Sequence, residues 1–146
     1  MRCAAAKFLS RTNSSTAIAA LCESLEADTD PRVLVSVLSG LARIRDPAIE
    51  RVLAKYLSRP HISSYSKYHA LRGLGHQRGE KHLELFQSIL KRPRDDEKRT
   101  PWDLWEERGA AVALGETRSE RAADIALDLA KKENELPLPV KFSLWV

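Results

Sequence analysis

No apolar run in this sequence approaches the ~20 residues that a membrane-spanning helix requires. The opening stretch, Met1 to Lys7, also lacks the apolar segment of a secretory signal. Cysteine is scarce. Cys3 and Cys22 have no paired metal-ligand spacing, and each falls in an apolar helical stripe. They read as small buried hydrophobes in a reducing compartment, which points to a cytoplasmic protein. The six Gly and seven Pro sit at punctuation points and form no linker. No stretch alternates apolar and polar residues between turn signals, so strands are not expected.

Motifs of catalysis are missing as well. There is no His-Glu-x-x-His, the spacing that puts two zinc-binding imidazoles on one helix face with a carboxylate to activate water. There is no Gly-x-Ser-x-Gly elbow and no phosphate-cradling glycine loop. Gly73 and Gly75 form a lone Gly-x-Gly at a helix end, better explained by packing and capping. The histidines His61, His69, His76 and His82 form no i, i+4 pair with one another, and they read as surface or loop residues. Asp103, Glu106 and Glu107 share a helix, but nothing implies the pocket that acid–base work needs. The expectation is a protein that is not an enzyme and carries no cofactor and no metal.

What is present is material for a helical core. Apolar residues are 43% of the 146 residues and charged residues 30%. The net charge of +4 is uneven: residues 1–73 hold 11 Lys and Arg against 6 Asp and Glu, and residues 74–146 hold 13 against 14. The basic excess therefore lies in the first half.

The chain repeats itself. Ala5–Ser10, Val37–Ala42, Ala70–Gly75 and Ala110–Gly115 share a pattern anchored on Leu9, Leu41, Leu74 and Leu114, spaced 32, 33 and 40 residues apart. Apolar residues recur 12 and 16 positions after each anchor: Leu21 and Leu25, Leu53 and Leu57, Phe86 and Leu90, then Ala126 and Ala130 beside Ile125 and Leu129. A four-residue step keeps them on one helix face. Each unit thus pairs two apolar-faced helices. Small residues in the first helices (Ala4, Ala5, Ala6, Ala70, Gly73, Gly109, Ala110, Ala111) would let neighbours approach closely.

Helix starts carry their own chemistry. Asp30-Pro31 and Asp46-Pro47 offer a carboxylate cap and then a proline where an N–H would be unpaired anyway. Thr100-Pro101 repeats the device, Ser63 or Ser64 can cap the next helix, and Thr117-Arg118-Ser119-Glu120 reads as a capping box. Gly75 and Gly115 are expected to close their helices. The expected helices span about 2–10, 15–27, 31–44, 47–58, 63–76, 80–92, 101–115 and 118–133, with one long polar connection from Arg92 to Thr100.

Hairpins of this kind bury their second faces only by stacking, which makes an α-solenoid. The pattern "Arg … Ala-Leu-x-Gly-Leu-Gly … Asp-Pro … Leu-x-x-x-Leu" resembles HEAT repeats across residues 2–133. The resemblance implies an all-α, right-handed α-solenoid of about four HEAT-like hairpins in a single domain, residues 1–146. The repeats fall at about 2–27, 31–58, 63–92 and 101–133. Residues 137–146 are expected to be a partial repeat, since Pro139-Val140-Lys141 is similar to Pro31-Arg32-Val33, or a cap in which Phe142, Leu144 and Trp145 fold back. Ser64-Tyr65 with Tyr68-x-Ala70-Leu71-x-Gly73-Leu74-Gly75, and Glu107-Arg108-Gly109-Ala110, resemble the C-terminal HEAT region of aminopeptidase-N-like zinc metallopeptidases. The zinc helix of those enzymes is absent here, as is their Gly-Ala-Met-Glu-Asn motif, so the resemblance implies only the non-catalytic region.

The function these features support is a scaffold or protein-interaction module. The expected contact residues are Trp102, Trp105, Tyr65 and Tyr68, aromatic types that anchor interfaces, with Arg51, Lys55 and Arg121 on the inner face. Core packing is the competing reading for the four aromatics. The partner is a protein or the rest of a longer chain, with no membrane. The alternative is a basic helical-repeat module that binds nucleic acid, permitted by a pI near 9.2. Against it, the second helices mix acidic and basic residues without a continuous basic stripe.

Overall fold

The two Asp-Pro pairs are built as their chemistry suggests. In the computed structural model, which describes residues 1–12, 14–92 and 103–131, Asp30 and Asp46 hold extended backbone. Their side chains accept the N–H groups of Arg32 and Ala48. The helices they open are α3 (Pro31–Leu41) and α4 (Pro47–Leu57). Before them come α1 (Arg2–Thr12) and α2 (Ser15–Ala27). After them come α5 (Ser64–His76), a 3-10 turn at Glu80–His82, α6 (Leu83–Leu90), α7 (Asp103–Thr117) and α8 (Glu120–Lys131). No strand occurs among the described residues. Thr100-Pro101, the connection after Arg92, and residues 137–146 lie outside them.

Two expected helix ends are corrected. Gly75 and Gly115 do not terminate anything: both lie inside their helices, and no glycine has a positive φ. The left-handed positions fall further on, at Arg78 (φ 57°) and Arg118 (φ 53°), with a third at His61 (φ 59°). The Thr117 capping box is also not formed. Thr117 is buried and its hydroxyl donates to the Ala113 carbonyl at 2.9 Å, while Ser119 caps α8 by accepting the Ala122 N–H. Ser63, not Ser64, caps α5.

The odd-numbered helices pack in succession, α1 on α3, α3 on α5 and α5 on α7. The even-numbered helices lie in a second row, with α2 against α4 and α6 against α8. Contacts of α2 with α3, α4 with α5 and α6 with α7 join the rows. The core runs between them. Leu41, Leu74 and Leu114 are buried, as are Leu21, Leu25, Leu53, Phe86 and Leu90. Four expected core positions differ. Leu9 and Leu57 are half-buried, and the buried face of α8 is Ala122 and Leu129 instead of Ala126 and Ala130. Cys3 and Cys22 are free and half-buried against the core.

The α5–α7 contact is the closest in the molecule's first-helix row. A Cβ built on Gly75 would overlap the Ala113 backbone, and one on Gly109 would lie 2.7 Å from the Tyr68 Cα. Both positions must lack a side chain for the backbones to meet. Gly115 faces open space, with nothing within 4 Å of such a Cβ. Between the two helices Lys67 pairs with Glu106 at 2.8 Å, and His76 with Glu116 at 3.1 Å.

Candidate functional site

The seven expected contact residues do not form one site. Trp102 lies outside the described residues. Tyr65, Tyr68 and Trp105 come together where the first turns of α5 meet α7. Trp105 presents its ring edge-on to Tyr65 at 4.9 Å and to Tyr68 at 5.4 Å. The Arg108 guanidinium stands 5.4 Å from the Trp105 ring centroid, a cation–π placement. Tyr65 is 37% exposed, whereas Tyr68 and Trp105 are half-buried. The cluster packs α5 on α7 and leaves Tyr65 at the surface.

Beneath that cluster is a residue the sequence misplaced. His69 is not a surface histidine: it is 9% exposed and meets Tyr65 and Tyr68 edge-on at 4.9 and 5.0 Å. Neither ring nitrogen has a hydrogen-bond partner among the described residues. Burial first, and then the Arg72 charge, hold its pKa below the ordinary 6.5. The periodicity of α5 carries a signal for this. His69 follows Ser66 by three positions and precedes Gly73 by four, so it shares their buried face.

Arg51, Lys55 and Arg121 sit in the other row, on α4 and α8. Lys55 reaches back to Glu26 of α2 at 2.6 Å, and Arg121 lies 3.9 Å from Glu84 of α6. The Lys55 contact holds the Glu26 carboxyl below its ordinary value. Arg51 is exposed and makes no ion pair among the described residues. Lys81 and His82 also converge on Glu50 of α4, at 3.5 and 3.1 Å. Charge along the second-helix row is thus largely neutralised between neighbouring helices.

A different set of cations is left bare. Arg45, Arg78 and Arg118 each lie four residues beyond a buried anchor, Leu41, Leu74 and Leu114. All three are exposed, and none is ion-paired among the described residues. The turns of Arg45 and Arg78 are joined by hydrogen bonds. Arg45 Nε donates to the His76 carbonyl at 3.1 Å. The Asp46 N–H donates to Gln77 Oε1 at 3.0 Å, and Gln77 Nε2 returns a bond to the Ile44 carbonyl at 2.8 Å. Desolvation and the charges of Arg45 and Arg118 push the Arg78 guanidinium below its ordinary value, against a pull upward from Glu116. The sequence held a signal here too, an arginine at one fixed offset from three anchors.

At the α7–α8 end a shallow cavity of about 380 Å³ is lined by Leu114, Ala122, Ala126, Leu127 and Ala130, with Arg118 at its edge. Leu127 is 57% exposed. Among the described residues no group of three or more His, Cys, Asp or Glu could hold a metal ion, and no helix is long and apolar enough to cross a membrane. No family model matches this chain, and no curated protein and no solved structure matches it significantly.

Proposed function

We propose that this chain is a non-catalytic, right-handed solenoid of HEAT-type hairpins that acts as a cytoplasmic scaffold by binding a protein partner. The observation that carries the reading is the aromatic rim of Tyr65, Tyr68 and Trp105 with Arg108 over it. Tyr, Trp and Arg are the residue types that supply most interface energy when a partner removes them from water. The successive contacts of first helices support a stacked-hairpin array, in which each unit completes its neighbour's core. Under the narrower resemblance, a zinc aminopeptidase supplied in cis or in trans is the first partner to test by co-purification. Nucleic acid is the less favoured partner, because ion pairs within the second-helix row leave no basic track along it.

A photo-reactive benzoylphenylalanine placed at position 65 tests the reading, with the same group at the exposed position 19 of α2 as control. The expected result is a discrete, nuclease-resistant cross-linked protein from position 65 alone. The purified partner should then lose about thirtyfold or more in affinity on Tyr65→Ala or Trp105→Ala, the size expected of interface anchors. Equal capture at both positions, or a product removed by nuclease, rejects it.

A further inference from the structure

The strongest unexplained feature is the row of arginines at the turns that follow the first helices. It recurs at a fixed place in three successive units, four residues past Leu41, Leu74 and Leu114. Two of the three, Arg78 and Arg118, occupy left-handed backbone, with φ of 57° and 53°. A glycine or asparagine would adopt that conformation at lower cost, since an L side chain there crowds the backbone. Arginine stands at both positions all the same. Strained backbone that holds a specific side chain is a pointer to use, not to folding.

The row is also rigid. The Gln77 amide spans the turn carrying Arg45, bonding to the Asp46 N–H and the Ile44 carbonyl. The Gly75–Ala113 contact and the His76–Glu116 pair bring the end of α5 to the end of α7, hence Arg78 toward Arg118. Two acidic groups at this edge, Asp46 and Glu116, are already engaged. Asp46 caps the Ala48 N–H at 2.7 Å, and Glu116 is held by His76 and by Arg72 at 3.7 Å. Three like charges on one edge, without a direct ion pair among the described residues and with the Glu116 carboxylate already shared among His76, Arg72 and two of them, offer a site for a further anion.

We infer that Arg45, Arg78 and Arg118 form a docking ladder for an acidic peptide segment of the protein partner. The inference rests on the protein-binding reading above and names the chemistry of a second contact region. All three rungs are guanidiniums, which grip carboxylates with two parallel N–H bonds, as lysine cannot. A nucleic-acid backbone fits less well. Stable binding to it draws on the order of six or more phosphate contacts. The ladder itself supplies three cations, with Arg43 exposed on the Arg45 turn and Glu80 and Glu120 at the first turns of the next helical segments.

The test uses the full chain and a short fluorescent oligoglutamate peptide, followed by anisotropy, with oligolysine as control and a single-stranded oligonucleotide as competitor. The chain binds oligoglutamate and not oligolysine. Arg78→Gly weakens that binding about tenfold, the loss expected for one charged double hydrogen bond, while Lys7→Gln, at an exposed position of α1, leaves it unchanged. Arg78→Gly also relaxes the strained backbone, so its melting temperature stays equal to or above that of the parent. A triple Arg45→Gln, Arg78→Gln, Arg118→Gln variant that still melts cooperatively abolishes binding. No oligoglutamate binding, equal binding by Arg78→Gly, or tighter binding of the oligonucleotide with displacement of the peptide overturns the inference. Failure here is separable from failure of the protein-binding reading. Capture from position 65 that persists when the ladder binds nothing leaves that reading standing. Ladder binding without capture at position 65 sinks the aromatic rim alone.

Discussion

His69 shows how one buried residue can set a pH response. Its pKa lies below the ordinary 6.5, because burial penalises the charged ring and Arg72 repels it. Below that pH the unfolded chain takes up a proton that the folded chain refuses. Stability present above about pH 6.5 is therefore lost as the pH falls toward the folded-state pKa. Urea unfolding at about pH 7.5 and 5.5 measures this, and His69→Phe is expected to shrink the fall in midpoint. His76 and His82 remain in both proteins, so the difference in slope isolates His69. Equal slopes would show that the ring finds a proton acceptor after all. The exposed Tyr65 and the bare Arg78 belong to this scale as well, and their tests are those of the two contact regions.

Helix contacts decide which glycines matter. Gly75→Ala and Gly109→Ala each push a methyl into backbone, of Ala113 and of Tyr68. Each is expected to cost about 1–3 kcal/mol, the usual size of overpacking. Gly115→Ala meets nothing within 4 Å inside α7. It should stabilise by roughly 0.5–1 kcal/mol, the helix-interior advantage of alanine. Thermal melts of the three variants decide the matter by sign. A destabilised Gly115→Ala, or a neutral Gly109→Ala, would contradict the α5–α7 geometry. From sequence alone Gly75 and Gly115 look alike, because each follows a leucine near the expected end of a first helix. Only the facing helix separates them.

For the whole molecule, the consequence of helices that touch mainly near neighbours is local failure. Leu74→Ala removes a fully buried side chain of α5. It is expected to cost about 2–5 kcal/mol. Amide exchange should rise most in α3, α4, α5 and α7, which pack directly on or form the damaged helix, and least in α1 and α2. A uniform rise across all helices would mean that the rows unfold as one unit and that the stacked-hairpin description is wrong.

Helix content, most helix starts and the spacing of the core were legible without coordinates. Local chemistry settles them: Asp30-Pro31 and Asp46-Pro47 cap and open helices through bonds to residues only two positions away, and the anchors Leu41, Leu74 and Leu114 recur 33 and 40 residues apart. Residues far apart in the chain escaped that reading. The burial of His69 beside the α5–α7 joint, the division of the expected contact residues between two helix rows, and the assembly of Arg45, Arg78 and Arg118 along one edge all depend on which helix faces which. Those facts follow from close backbone contacts such as Gly75 on Ala113, 38 positions apart. Periodicity along one helix records that a face is buried, but it carries no record of what covers it.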